Sequence, residues 1–181
     1  MEHSIEEVRA VLQQFQDGYR ARDVTKLDEF MRLFAPDEDI ELIGIGAAKR
    51  AANEWFVGQA AIRDIVEGDW TYWGNVELDV AGAQIHVRGE TAWLSTTGAV
   101  IQTQAFDKAL PQYLQQMKAI LENAEFDPDT QLMEATHFGM RRLRERSKGA
   151  GQRWPFTFVA VLIKSDEMWR FHTIHWSMPV D

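Results

Sequence analysis

The stretch Phe158–Pro179, "FVAVLIKSDEMWRFHTIHWSMP", decides the fold. Two runs of β-branched and aromatic residues flank "SDEM", the mark of a hairpin with a two-residue turn at Asp166–Glu167. A regular ladder running back from that turn sets Leu162 opposite Phe171, Ala160 opposite Thr173, Phe158 opposite His175 and Phe156 opposite Ser177. Residues opposite each other share a face. One face then carries Trp169, Phe171, Thr173, His175 and Ser177, and the other carries Thr157, Val159, Val161, His172, Ile174 and Trp176. Neither is polar, so the sheet must be covered on both sides.

Helices for one side stand at the start of the chain. Ile5, Val8, Leu12, Phe15 and Tyr19 recur at helical spacing behind Ser4 and Glu7, a capping-box pair, and predict a helix over 5–22. Asp23 caps a second helix bearing Leu27, Phe30, Met31 and Phe34, which Pro36 ends. "IELIGIG" (40–46) reads as a short strand, "AAKRAANEWFVGQ" as a loop, and "QAAIRDIVEGDW" as a short helix. Strands follow over 76–80, 83–88 and 92–103. Residues 107–151 then switch to helical period. Leu110, Tyr113, Leu114, Met117 and Leu121 form one stripe, and Asp127 with Pro128 opens a second helix. Strands over 153–164 and 168–178 close the chain. The expectation is a single α+β domain of 181 residues, with a mostly antiparallel sheet, no βαβ alternation, no parallel sheet and an inserted helical hairpin.

The second face needs a cover of its own, since an exposed apolar face of that extent invites association. The expected cover is a second copy, giving a homodimer through Val159, Val161, His172, Ile174 and Trp176; the alternative is the inserted hairpin folded back over that face.

Composition narrows the function. A net charge of −9 opposes nucleic-acid binding, which depends on Lys and Arg neutralising phosphates. The one basic run, "RRLRERSK" (141–148), fits a helix end, where cations complement the dipole. Without cysteine there are no disulfides and no thiolate metal ligands. "MEHSIEEVRAV" lacks signal-peptide regions and no apolar run reaches the length of a membrane span, so a cytoplasmic protein with no membrane partner is expected. "GIGAAKR" lacks the spacing of a dinucleotide fingerprint and no Gly-x-Ser-x-Gly elbow occurs, so no nucleotide cofactor and no serine hydrolase chemistry are expected.

Several phrases, in order, resemble the nuclear transport factor 2-like superfamily, and within it the SnoaL-like domains related to ketosteroid isomerase and polyketide cyclases. They are "FQDGYRARDVTKLDEFMRLFAPDEDIELIGIG", "WFVGQAAIRDIV", "VRGETAWLS" and "FVAVLIKSDEMWRFHTIHWSMP". The last resembles the family's closing hairpin, in which a tryptophan after the turn leads to His-x-Ser, here Trp169, His175 and Ser177. The resemblance implies a curved sheet wrapped around helices as a cystatin-like cone, with an interior pocket and common dimerisation. Two departures stand out: an alanine-rich segment between Gly46 and Trp55, and the helical hairpin in place of a simple strand connection.

Two histidines, His172 and His175, pose the question of chemistry. Three residues apart on a strand, they point to opposite faces, roughly 10 Å apart, and cannot hold one metal ion together. His86 and His137 reach them only through tertiary folding, so no metal is expected. If the face carrying His175 lines the cone, burial favours the neutral imidazole, a candidate general base. Tyr19 is the candidate donor to a carbonyl or enolate oxygen. Ketosteroid isomerases pair an interior tyrosine with carboxylates, and the resemblance assigns that part to Asp39 or Glu41. Phe15, Trp55, Phe158, Trp169, Thr173 and Ser177 are the expected pocket lining. For His175 and Tyr19 the plain structural reading is a core side chain with its polar atom satisfied.

Two functions follow. The first is a small-molecule-binding domain for an apolar or aromatic ligand, as a cofactor-free isomerase, cyclase or dehydratase that moves a proton beside a carbonyl. The second is a non-catalytic homodimerisation or protein-interaction domain. A pocket filled by the protein's own side chains opposes the first.

Overall fold

The computed structural model describes residues 2–45, 47, 49–52, 54–72, 74–103, 106–146 and 150–178. Gly46, at the end of the first expected strand, lies outside them, as do Ser147 and Lys148 of the basic run. The chain forms two compact units, Met1–Ile101 with Arg153–Asp181, and Gln102–Gln152. The described residues hold five α-helices and a curved, unclosed mixed sheet of seven strands.

In the first unit, α1 (Glu2–Ala21) presents Val8, Leu12, Phe15, Gln16 and Tyr19 as a buried stripe. It begins before Ser4, so the expected capping box lies inside the helix. Glu7 instead accepts the indole N–H of Trp169 at 3.1 Å, with the Lys164 ammonium 3.8 Å away. Asp23 caps as expected, accepting from the Thr25 N–H at 3.1 Å, though the turn it opens is a 3-10 turn leading into α2 (Leu27–Met31).

β1 (Glu41–Ile43) pairs antiparallel with β2 (Trp55–Val57), a strand inside the expected loop. α3 (Gly58–Tyr72), β3 (Gly74–Leu78), β4 (Gln84–Arg88) and the long β5 (Thr91–Gln102) follow. After the second unit come β6 (Arg153–Ser165) and β7 (Met168–Ser177). The order across the sheet is β2-β1-β7-β6-β5-β3, with β4 also on β5. β1 pairs parallel with β7 within a sheet whose β1–β2, β4–β5, β5–β6 and β6–β7 ladders are antiparallel, in keeping with the mostly antiparallel expectation.

The second unit is a helical hairpin, α4 (Phe106–Leu121) and α5 (Pro128–Arg146). Pro128 takes the first helical position, where its missing N–H costs nothing. The Asp127 carboxylate accepts from the backbone N–H groups of Asp129 and Thr130. Tyr113 meets Phe138 edge to face at 6.2 Å, and Gly139 leaves room for Met117, whose Cε would lie 3.1 Å from a Cβ built there.

The closing hairpin corrects the expected register. Its turn is as read, with Asp166 and Glu167 both at positive φ (50° and 62°), the pair of values that a two-residue hairpin turn requires. Leu162 stands opposite Phe171, but Val161 stands opposite Thr173. His172 is therefore an extra residue, a β-bulge, and everything beyond it is displaced by one. Ala160 faces Ile174, Phe158 faces Trp176 and Thr157 faces Ser177. A one-residue slip sends each side chain to the opposite face.

The backbone explains where the bulge falls. Phe171 donates its N–H to Leu33 O at 2.7 Å and accepts from Ala35 N at 2.8 Å, while Thr173, Ile174 and His175 pair with β1. The edge of β7 thus takes two successive segments, 33–35 and 41–43. His172 sits at that gap, its Nε2 3.4 Å from Asp39 Oδ1.

Candidate functional site

The inner face of the sheet carries Phe156, Phe158, Ala160 and Leu162 from β6 with Trp169, Phe171, Ile174 and Trp176 from β7, all buried. Phe15, from the middle of α1, reaches into this surface. Its ring centroid lies 5.4 Å from Phe158, 5.3 Å from Phe171, 5.9 Å from Trp176 and 5.5 Å from Phe30 of α2. Tyr19, one turn on, packs 4.9 Å from Phe15 and 5.7 Å from Trp176. These rings pack against one another between α1 and the sheet. Tilted and edge-to-face pairs of this kind are worth about 0.5–1.5 kcal/mol each beyond their buried area. The expected pocket residues Phe15, Phe158 and Trp169 are accordingly parts of a packed core.

Tyr19 is fully buried and donates to Asp69 Oδ2 of α3 at 3.1 Å. Burial, then the adjacent Asp69 charge and the hydrogen bond to it, push its pKa well above the ordinary tyrosine range. The hydroxyl is a neutral donor already committed to a carboxylate. Beside it, the buried indole N–H of Trp70 has no partner among the described residues; its ring lies 4.9 Å from Phe30 and 6.3 Å from Tyr19.

The remaining expected site residues are elsewhere. His175 is exposed and stands opposite Val159 on the outer face, a correction to its expected place in the cone that follows from the bulge. Thr173 and Ser177 turn outward with it, half-buried and exposed respectively. Asp39 is largely exposed and paired with His172, whose Nδ1 lies 3.0 Å from Thr173 Oγ1. Glu41 pairs with Arg50 Nε at 2.7 Å. Trp55 is opposite Ile43, which in turn is opposite His175, so Trp55 also belongs to the outer side. Tyr19, His175 and the two carboxylates do not converge.

The expected dimer surface is divided in the same way. Val159 and Val161 are on the outer face, whereas Ile174 and Trp176 are buried in the core. Two rows cross the outer face: Trp55, Ile43, His175, Val159 and Ser95, and beside it Val57, Glu41, Thr173, Val161, Trp93 and His86. Trp93 is 45% and Val159 44% exposed, and His86 stacks on Trp93 with centroids 5.4 Å apart. Trp93 and Asp69 both escape sequence reasoning. Trp93 has a legible signal, since it sits between Ala92 and Leu94, both inward, on a strand that alternates from Thr91 to Thr97.

Among the described residues no three carboxylates or imidazoles come together in a way that could hold a metal ion, and no helix is long and apolar enough to cross a membrane.

Comparison with known proteins fits this architecture. A family model described as a SnoaL-like domain matches residues 8–116. No curated protein matches by sequence. Among solved structures, an NTF2-like protein of unknown function from Pseudomonas putida superposes with a TM-score of 0.60 at 14% identity, over 100% of this chain and 90% of that one. A proposed dehydratase of the NTF2-like family from Streptomyces avermitilis gives 0.61 at 9% identity, over 99% of both chains. A proposed calcium/calmodulin-dependent protein kinase type II association domain from Thiobacillus denitrificans gives 0.55 at 14%, over 94% of both. Other neighbours are described as having a cystatin-like fold. At these identities the likeness is one of fold.

Proposed function

Because this chain belongs to the SnoaL-like domain family, whose fold hosts both chemistry and assembly, we propose that it acts as a homodimeric interaction domain in which a second copy covers the outer sheet face. The observation that carries this reading is the division of side chains at the bulge. Phe15, Tyr19, Phe158, Phe171 and Trp176 pack against one another inside, while Trp93, Val159, Val161, Ile43 and Val57 stand among polar residues in the two rows on the other side. The polar members of those rows suit a two-fold contact: His86, His175, Ser95 and Thr173 supply donors and acceptors without a run of like charge.

Sedimentation velocity on the full chain tests it. The expected result is a species of at least twice the chain mass, made smaller by Trp93→Lys with Val159→Lys while far-UV circular dichroism is unchanged. A wild-type monomer at tens of micromolar, or an oligomer indifferent to both substitutions, would overturn it.

A second reading has its own observation. The Tyr19–Asp69 pair, beside the unpartnered Trp70 N–H, is a polar group set inside a ring-lined interior, the setting for a small aromatic ligand with a carbonyl or hydroxyl. In that reading the domain is a cofactor-free proton-transfer enzyme acting beside a carbonyl, with Tyr19 as donor and Asp69 as the base. A thermal-shift screen with aromatic ketones and phenols tests it. Stabilisation of the wild type that disappears in Tyr19→Phe and Asp69→Asn supports it, and none, or an equal shift in the variants, sinks it.

A further inference from the structure

The hairpin of α4 and α5 has little core of its own. Among its described side chains only Ala135 is buried, with Gly139 beside it, whereas Leu114 is 57% and Leu132 64% exposed, and Leu121 and Met133 are exposed as well. Helices of this length draw most of their stability from packing an apolar face rather than from propensity. With Tyr113 and Met117 turned to α5, and Ala135 and Phe138 turned to α4, the rotation of about 100° per residue brings Leu114, Leu121 and Leu132 to one side of the hairpin. Three large apolar side chains are exposed there.

The charges along the hairpin say what covers them. Its closed end, residues 118–129, carries Glu122, Glu125, Asp127 and Asp129 against one cation, Lys118, which lies 3.7 Å from Glu122. At its open end α5 finishes with Arg141, Arg142, Arg144 and Arg146 against a single Glu145. Each hairpin is acidic at one end and basic at the other, so two of them laid antiparallel about a two-fold axis set each acidic end on a basic one. A parallel pair would set like on like. We propose that the exposed Leu114, Leu121 and Leu132 side of the hairpin pairs antiparallel with the same side of a second copy, forming a four-helix contact whose direction the end charges fix. This contact is separate from the sheet-face pairing proposed above, and either can exist without the other.

Sedimentation velocity of full-length variants tells them apart. Leu114→Lys with Leu132→Lys is expected to weaken self-association by about tenfold or more, a clear change in dissociation constant, with helicity retained because both side chains are exposed. Direction is tested in a Trp93→Lys, Val159→Lys background, where the sheet face contributes nothing. There, Glu122→Lys with Glu125→Lys and, in a second protein, Arg141→Glu with Arg144→Glu should each abolish pairing alone and recover it when the two proteins are mixed. Association unchanged by the leucine substitutions overturns the hairpin contact, and so does a mixture no more associated than its parts. Complete loss of association in Trp93→Lys, Val159→Lys also overturns the hairpin contact, which is expected to pair in that background, whereas a smaller oligomer that persists there separates the two contacts.

Discussion

Val159 stands directly opposite His175 in the ladder between the last two strands, and both side chains are exposed on the outer face. That relationship reverses the energetic order a regular ladder would impose on the end of the chain. His175→Ala should change stability by no more than about 0.5 kcal/mol, as exposed substitutions generally do. Ile174→Ala and Trp176→Ala, which empty core space, should cost about 2–5 and 3–5 kcal/mol. Chemical denaturation of the three variants checks the order, and a costly His175→Ala beside a mild Trp176→Ala would restore the unbulged register.

Phe15 touches rings from α1, α2, β6 and β7 at once. Phe15→Ala should therefore lose about 3–5 kcal/mol and leave an apolar void. Such voids stay dry and accept small aromatic molecules. Benzene or indole should raise the melting temperature of the variant and leave the wild type unmoved. Equal shifts in both would mean that the wild-type interior already has room.

The raised pKa of Tyr19 ties stability to alkaline pH. Its hydroxyl must ionise when the chain unfolds into solution at high pH, where tyrosine titrates near pH 10, while burial beside Asp69 resists that ionisation in the folded state. The stabilisation is thus whole below about pH 10 and declines as pH climbs beyond it. Urea midpoints measured across that range should fall more steeply for wild type than for Tyr19→Phe, and parallel profiles would remove Tyr19 as the source.

Asp127 holds the start of α5 through the Asp129 and Thr130 N–H groups, and the Thr130 side-chain and backbone bonds, its main partners, lower its pKa. A depressed carboxylate keeps its contribution above its ordinary range near pH 4 and surrenders it as acid protonates the folded form. Asp127→Ala should lower the helical signal at neutral pH and flatten its acid dependence. Unchanged ellipticity would show the hairpin indifferent to its cap.

Much of this fold is legible because local patterns carry it. The α1 stripe of Val8, Leu12, Phe15 and Tyr19, the Asp127–Pro128 helix start and the Asp166–Glu167 turn each rest on a few neighbouring residues. The bulge is different. Two polar residues, His172 and Thr173, stand between apolar Phe171 and Ile174, so alternation fails there and nothing within β7 itself says which of the two is the extra residue. The deciding interactions, Phe171 with Leu33 and Ala35, and Thr173 with Glu41, come from residues far away in the chain. β2 escapes for the same reason, as three residues held by their pairing with β1. The Tyr19–Asp69 bond spans fifty residues and has no spacing rule to betray it.

His172 has a consequence for how this chain can change over time. An unpaired residue in the middle of β7 works as a phase shifter, letting the strand's first half and second half be tuned against different surroundings. Deleting it would leave Phe171 inward, Thr173 outward and Ile174 inward, a regular alternation that preserves both surfaces. Inserting a residue anywhere from Thr173 to Trp176 would instead exchange the Trp176 indole for a polar neighbour across the sheet. The tolerance of β7 to gain and loss of residues is thus lopsided, and a set of single-residue insertions and deletions along it would map that asymmetry directly.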